Sequence, residues 1–147
     1  EKVPRMRTRR QTPPPTNGKI LILEDEQQII DMCLIMMKRL GYRAEFATKG
    51  EQAIEMYRLA LDSPEPFSAV ILDLTIHGAM GGKETMEHLL QIDPHVVGIV
   101  SSGYSHDPIM AHHSEFGFSG VLPKPYSYND MREVLANVTK QDDRAQE

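Results

Sequence analysis

The fold is decided by the stretch Ile20-Leu21-Ile22-Leu23-Glu24-Asp25-Glu26, in which four aliphatic residues lead directly into three acidic ones. An apolar run this short, bounded by polar residues, is typical of a buried strand in a parallel sheet. The residues that follow, 27–40, place apolar side chains at helical spacing and predict an amphipathic helix. The stretch therefore indicates a strand, a charged turn and a helix, the unit from which α/β folds are built.

The same alternation of a short Ile-, Val- and Leu-rich run with a longer amphipathic segment recurs along the chain. The predicted strands are residues 19–23, 43–47, 69–72, 96–100 and 117–122. The predicted helices are residues 27–40, 50–61, 82–91, 108–116 and a fifth that opens after Ser127. Asp107 before Pro108, and Ser127 three residues before Asp130, are capping patterns that mark the last two helix starts. Five such units predict an α/β fold with a doubly wound, five-stranded parallel sheet.

The length and charge of the chain favour one acidic domain with tails. We predict a flexible, basic and Pro-rich linker over residues 1–18, a folded domain over residues 19–140 and a disordered tail over residues 141–147. Residues 1–19 carry six basic groups and one acidic group, whereas the remaining residues carry 10 basic and 20 acidic groups. The acidic body would repel phosphates, so we expect no nucleic-acid binding through the domain.

The apolar runs and the cysteine content indicate a cellular location. No run approaches the roughly 20 apolar residues that a membrane-spanning helix needs, so we expect no membrane span. Cys33 is the only cysteine, which excludes an internal disulfide and fits a reducing compartment. We therefore expect a cytoplasmic protein. Glu1 in place of an initiating Met indicates a piece cut from a longer polypeptide.

Reactive side chains follow four of the five predicted strands. In an open parallel sheet, ligands collect beyond the carboxyl ends of the strands, so these side chains should share one edge. They are Glu24, Asp25, Glu26, Asp73, Ser101, Ser102 and Lys124. Carboxylates that converge at one place repel one another unless a cation lies among them, and oxygen ligands of this kind suit Mg²⁺. Acids at residues 24 and 25 are also ordinary at a helix start, but Asp73 follows a buried-type run and has no such explanation.

This set of groups has the chemistry of phosphoryl transfer. Asp73 would be the nucleophile, because an ionised carboxylate needs no general base. Lys124 and a metal ion would neutralise the phosphoryl oxygens, and Ser101 would donate a hydrogen bond to one of them.

In their order along the chain, these motifs resemble the signatures of the two-component response regulator receiver domain. The motifs are Ile20 to Glu26, Val70-Ile71-Leu72-Asp73-Leu74-Thr75, Val100-Ser101-Ser102-Gly103-Tyr104 and Leu122-Pro123-Lys124-Pro125, and the resemblance covers about residues 18–140. It implies a flavodoxin-like (CheY-like) sheet in the order 2-1-3-4-5 with five helices. It also implies phosphoryl transfer from a phosphohistidine to Asp73, and a cis Lys124-Pro125 peptide bond. The implied Mg²⁺ ligands are Asp25, Asp73 and the carbonyl of Thr75, with Glu24 in support.

The resemblance also implies partners and shows departures. The phosphodonor would be a histidine kinase or a histidine phosphotransfer domain, and a homodimer is left open. The residues around Ser101 favour the receiver module of a hybrid sensor histidine kinase, with a free-standing receiver as the rival.

The sequence departs from the family pattern at three positions. Glu24 stands where the family more often has Asp, His77 where many members have Pro, and Val121 where many have Tyr or Phe. His77, with His106, borders the predicted site.

Three rival functions are compatible with parts of the pattern. A flavin mononucleotide site would need an anion-binding loop after the first strand, where this chain has acids. An aspartyl-phosphate phosphatase or phosphotransferase, of the haloacid dehalogenase kind, would need a second acid, which Asp73-Leu74-Thr75 lacks. A non-phosphorylated pseudo-receiver that acts only as an interaction module would not need the full set of acids, serine and lysine. Whether the chain is itself an enzyme is left open.

Overall fold

The computed structural model describes residues 17–104 and 106–146, with side chains as far as residue 139. The strands are β1 (Gly18–Leu23), β2 (Tyr42–Ala47), β3 (Ala69–Asp73), β4 (Gly98–Ser102) and β5 (Gly120–Pro123). The helices are α1 (Gln27–Leu40), α2 (Gly50–Leu61), α3 (Gly82–Ile92), α4 (Pro108–Ala111), a short 3₁₀ helix (His113–Phe116) and α5 (Tyr128–Gln146). The strands are parallel and lie in the order β2-β1-β3-β4-β5. The predicted fold is confirmed.

The sheet is covered by helices on both faces, which explains why its central strands are mainly apolar. Successive residues of a strand point to opposite faces, so each face takes every second residue. One face buries Leu21, Leu23, Val70, Leu72 and Val100 together with residues of α2 and α3 such as Ala53, Tyr57, Met86 and Leu89. The other buries Ile20, Ile22, Ile71, Ile99 and Leu122 together with residues of α1 and α5 such as Cys33, Met37, Met131 and Leu135. The strand ends are thereby held in fixed positions.

The last two strands begin later than the sequence predicted. The fourth strand was predicted over residues 96–100 and forms over 98–102, because the N–H of Val96 closes a turn on the carbonyl of Asp93 at 3.1 Å. The fifth was predicted over residues 117–122 and forms over 120–123, because Gly117 ends the 3₁₀ helix with a positive φ of 90°.

The predicted fourth helix over residues 108–116 is wrong as a single element. It forms as α4 and the separate 3₁₀ helix, with non-helical dihedrals at His112 between them. Met110 is the only buried residue of the two pieces, and a helix gains most of its stability from burying one face. The two predicted caps are present, since Asp107 Oδ1 accepts from Ile109 N–H at 2.9 Å and Ser127 and Asp130 cap each other.

The predicted linker over residues 1–18 lies outside the described residues except for its last two. At the other end, α5 runs to Gln146, past residue 140, where we placed the domain boundary. The division into these three segments stays a prediction. None of the helices in the described ranges has the length and apolar character needed to cross a membrane.

The first residue of α3 packs directly beneath Asp73. A Cβ at Gly82 would lie 2.8 Å from the carbonyl oxygen of Asp73 and 3.1 Å from that of Leu72. We predict that Gly82→Ala lowers the free energy of unfolding by about 1–2 kcal/mol, since backbone atoms must shift and the better helix propensity of Ala offsets only part of the loss. Urea denaturation measures the change.

Gly103→Ala is the matched control, because a Cβ there meets nothing within 4 Å. Equal losses of stability in the two variants would contradict the close seating of α3 against β3.

Candidate functional site

The acidic residues after β1 and β3 meet at the carboxyl edge of the sheet. The two strands are neighbours, with Leu23 paired to Leu72, so the residues that follow them emerge side by side. One carboxylate oxygen from each of Glu24, Asp25 and Asp73 lies within 4.8 Å of the other two. The structure thus brings together three acids that the sequence spreads over 50 residues, from 24 to 73.

Lys124 follows β5, which lies two strands away from β3, and its side chain reaches this cluster. Its Nζ lies 2.9 Å from Glu24 Oε1 and 3.1 Å from Asp73 Oδ2, so it donates to both carboxylates. Its backbone N–H donates to the carbonyl of Ser102 at 2.9 Å, and the following bond to Pro125 is cis, as predicted. Burial alone would lower the pKa of Lys124, but the hydrogen bonds and charges of the two carboxylates raise it. The ammonium therefore keeps its charge.

Glu24 and Asp73 are the two most buried acids of the cluster. Their exposed fractions are 2% and 4%. Burial raises the pKa of each carboxyl above its usual value, and the neighbouring ammonium of Lys124 does not fully offset this. Both oxygens of Glu24 already have partners, since Oε1 accepts from Lys124 and Oε2 accepts from the N–H of Glu26 at 3.1 Å. The ion pair between Glu24 and Lys124, a hundred residues apart, was not predicted.

Asp25 is held by the loop that follows β3. Its Oδ2 lies 3.0 Å from the backbone N–H of His77 and 3.2 Å from His77 Nδ1. Burial works against ionisation of Asp25, but these hydrogen bonds and the adjacent imidazole hold its pKa below the usual value. Its other oxygen, Oδ1, is buried and has no hydrogen-bond partner among the described residues. The sequence placed His77 at the border of the site but gave no signal for this contact.

Ser101 lies on β4 directly beside Asp73. The two residues are paired in the register of β3 and β4. Ser101 is 2% exposed, and its Oγ is a second buried atom for which the described part of the chain offers no hydrogen-bond partner. The next serine, Ser102, is equally buried but uses its Oγ to accept from the N–H of Tyr104 at 3.0 Å.

Thr75 lies in the loop after β3, where its backbone N–H donates to Asp73 Oδ1 at 3.3 Å. This bond orients the Asp73 carboxylate. The role that the resemblance implies for the carbonyl of Thr75 stays a prediction.

A buried contact that the sequence did not reveal connects the segment after Lys124 to α1. The hydroxyl of Tyr126 lies 3.0 Å from Cys33 Sγ, and both side chains are buried. Burial raises the pKa of both groups, so both stay protonated. The pattern marked Cys33 only as one of several apolar residues of a helix face, and no feature of the sequence pairs it with Tyr126.

The arrangement fits a divalent cation. Three carboxylates converge here, and Lys124, which pairs with Glu24 and Asp73, is the one ammonium seen among them in the described residues, so an excess of negative charge remains when all three acids are ionised. Asp25 Oδ1 is a buried oxygen that needs a partner, and carboxylate oxygens are the ligands that Mg²⁺ prefers. Ser101 Oγ and Lys124 Nζ lie on the Asp73 side of the cluster, where they are suited to an anion bound at Asp73.

The chain is similar to a well-populated group of proteins. Residues 20–136 match the response regulator receiver domain family. The chain is 26% identical over 119 residues to sporulation initiation phosphotransferase F of Bacillus subtilis, with 81% of this chain and 91% of that protein covered. It is 27% identical over 117 residues to an NtrX-like response regulator of Rickettsia typhi, covering 79% of this chain but 23% of that longer protein.

The fold is also similar to solved structures. The receiver domain of a sensor histidine kinase from Pseudomonas aeruginosa, solved with a magnesium ion coordinated in its active-site cleft, superposes with a TM-score of 0.72 at 18% identity. The match covers 84% of this chain and 98% of that one. At so low a sequence identity, this structural similarity supports the fold alone.

The two adjacent serines should respond differently to removal of their hydroxyls. In the metal-free protein, we predict that Ser101→Ala leaves the free energy of unfolding unchanged or raises it by up to about 1 kcal/mol, because the lost hydroxyl is buried without a partner. Ser102→Ala should lower it by about 1 kcal/mol, because the N–H of Tyr104 loses its acceptor. Chemical denaturation measures both. Equal losses would mean that Ser101 Oγ has a structural partner after all.

Proposed function

This chain belongs to the response regulator receiver domain family, and from that premise we propose that Asp73 accepts a phosphoryl group from a phosphohistidine in a Mg²⁺-dependent reaction. The chain is a phosphoacceptor domain of two-component phosphorelay signalling. One observation carries the assignment of the site. The two buried side-chain atoms without a partner in the described residues, Asp25 Oδ1 and Ser101 Oγ, both belong to residues beside Asp73, where a cation and an anion would satisfy them.

Asp73 is the nucleophile in this proposal. Its Oδ1 is oriented by the N–H of Thr75 and its Oδ2 by Lys124 Nζ, so the carboxylate is fixed before the donor arrives. An oxygen of Asp73 forms the new bond to phosphorus as the bond between phosphorus and the donor imidazole nitrogen breaks. The imidazole leaves with the electron pair of that bond. The raised pKa of Asp73 follows chiefly from burial, and a cation in the cluster would favour the ionised, reactive form.

Ser101 and Lys124 bind the transferred group in this proposal. The charge of the transferred group spreads over its equatorial oxygens, and stabilising that charge is the main task of the site. The ammonium of Lys124 already lies 3.1 Å from Asp73 Oδ2, and Ser101 is the neighbour of Asp73 across the sheet. Ser101 Oγ has no competing partner to give up in the described structure. Its O–H is therefore free to donate to a phosphoryl oxygen.

Glu24, Asp25, Asp73 and the carbonyl of Thr75 are the groups that we assign to Mg²⁺. When bound, Mg²⁺ supplies the positive charge that offsets the repulsion among the acids and neutralises the phosphoryl oxygens. Asp25 offers a buried oxygen with no hydrogen-bond partner among the described residues, which supports a direct role for Asp25.

The partners follow from the family. Receiver domains interact with histidine kinases and phosphotransfer proteins. We propose that the donor to Asp73 is a phosphohistidine of a histidine kinase or of a histidine phosphotransfer domain, in the cytoplasm, and that the acidic domain does not itself bind nucleic acid. The kind of full-length protein that carries this domain, hybrid kinase or free-standing receiver, stays a prediction.

Phosphorylation at Asp73 is tested with a small-molecule donor. Incubated with acetyl phosphate and Mg²⁺, the protein should gain the mass of one phosphoryl group, and hydroxylamine should remove it because the product is an acyl phosphate. Asp73→Asn should gain none, since the amide is not a nucleophile. Asp62→Asn, an exposed carboxylate at the end of α2, is the matched control and should be modified like the parent. Intact-mass spectrometry measures the gain.

Chelation of Mg²⁺ by EDTA should suppress the modification in the parent. Modification of Asp73→Asn to the parental extent would overturn the assignment of the nucleophile, and modification that is indifferent to EDTA would overturn the metal requirement.

A further inference from the structure

His77, in the loop between β3 and α3, contacts one oxygen of Asp25 with two hydrogen-bond donors. The backbone N–H of His77 lies 3.0 Å from Oδ2, and the imidazole Nδ1 of the same residue lies 3.2 Å from that oxygen. A carboxylate oxygen can only accept, so Nδ1 carries the proton in this contact. Two donors on one oxygen fix the rotation of the carboxylate as well as its position.

These contacts leave the other carboxylate oxygen of Asp25, Oδ1, without a donor from His77. Asp25 Oδ1 is buried and has no partner in the described part of the chain, and Asp25 is one of the three acids whose oxygens lie within 4.8 Å of one another. Because both donors of His77 contact Oδ2, they do not compete with a cation for Oδ1. The hydrogen bonds therefore hold the carboxylate by one oxygen and leave the other, which is buried, available to a cation.

His77 acts on the cluster only through Asp25. Among the described residues, the side chains that converge within 4.8 Å of one another are those of Glu24, Asp25 and Asp73, and His77 is not one of them. The His77 side chain is 76% exposed, whereas that of Asp25 is 18% exposed. The imidazole thus contacts the acid from the solvent side and is not one of the converging oxygen-rich ligands.

We propose that His77 is a positioning residue for the divalent cation, which holds Asp25 Oδ2 so that Oδ1 is presented to the ion. This inference rests on the proposed Mg²⁺ site and adds a specific residue to it. Outer partners that orient a metal ligand typically change metal affinity by about 10–100-fold when they are removed. Since the ring is exposed and the backbone N–H of residue 77 remains in most variants, we expect the lower end of that range.

The experiment measures Mg²⁺ binding by isothermal titration calorimetry, without any phosphodonor, on the full chain. His77→Ala removes the ring and keeps the backbone donor, and it should weaken Mg²⁺ binding by about 10-fold. His77→Asn is the conservative variant, because its amide nitrogen can replace Nδ1 as a donor to Oδ2, and it should recover affinity to within about twofold of the parent. His88→Ala removes an exposed histidine from α3 and should bind like the parent.

A second measurement separates positioning from general damage. Without metal, His77→Ala should unfold at nearly the parental temperature, because an exposed pair contributes little to stability. With Mg²⁺ at one fixed concentration, its unfolding temperature should rise less than that of the parent, since a weaker binder stabilises the fold less.

The outcomes distinguish this inference from the proposed function. If the parent binds Mg²⁺ and His77→Ala binds it as tightly or more tightly, the positioning role is overturned and the metal site stands. If His77→Asn binds as weakly as His77→Ala, the ring does not act as a hydrogen-bond donor and the inference also fails. If the parent does not bind Mg²⁺, both the inference and the proposed metal site fall together.

Discussion

Repulsion among three carboxylates at one buried sheet edge is the interaction on which the site depends. Lys124 is the one ammonium seen among them in the described residues, and it is shared between Glu24 and Asp73. Burial raises the pKa of both acids, so the metal-free fold disfavours the charge that phosphoryl transfer requires. The same excess charge is the source of affinity for a divalent cation. The site is therefore stabilised by the ligands that it binds.

The parallel sheet makes this concentration of charge possible. In the order β2-β1-β3-β4-β5, the chain reverses direction across the sheet between β1 and β3, and a crevice opens at such a point. Glu24, Asp25 and Asp73 flank that crevice, Ser101 lies on the next strand, and Lys124 directly follows the strand after it. The helices that cover both faces bury β3 and β4 along their whole length. Their rigidity keeps the like charges close together.

The positions of the strands and the edge where they end could be predicted from the sequence because buried parallel strands have a distinctive composition. The start of β4 and the break in the predicted fourth helix could not, since the turn at Val96 and the break at His112 depend on tertiary packing. The sequence predicted that the reactive residues lie at one edge of the sheet, but it did not predict which groups they contact there. Two such contacts are the hydrogen bonds from His77 to Asp25 and the contact between Tyr126 and Cys33. Both depend on loop geometry, which no local sequence pattern encodes.

The most direct test is the free energy of unfolding with and without saturating Mg²⁺, measured by urea denaturation from about pH 3.5 to about pH 7.5. As pH rises above about 4, the unfolded chain releases its carboxyl protons before Glu24 and Asp73 do, so these two acids lower the stability of the metal-free protein until their raised pKa values are passed, whereas the lowered pKa of Asp25 works in the opposite direction. The account predicts that Mg²⁺ adds almost nothing near pH 3.5 and about 2–3 kcal/mol at neutral pH, for a concentration about a hundred times the Kd. An equal Mg²⁺ effect at both ends of the range, or none at neutral pH, would contradict it.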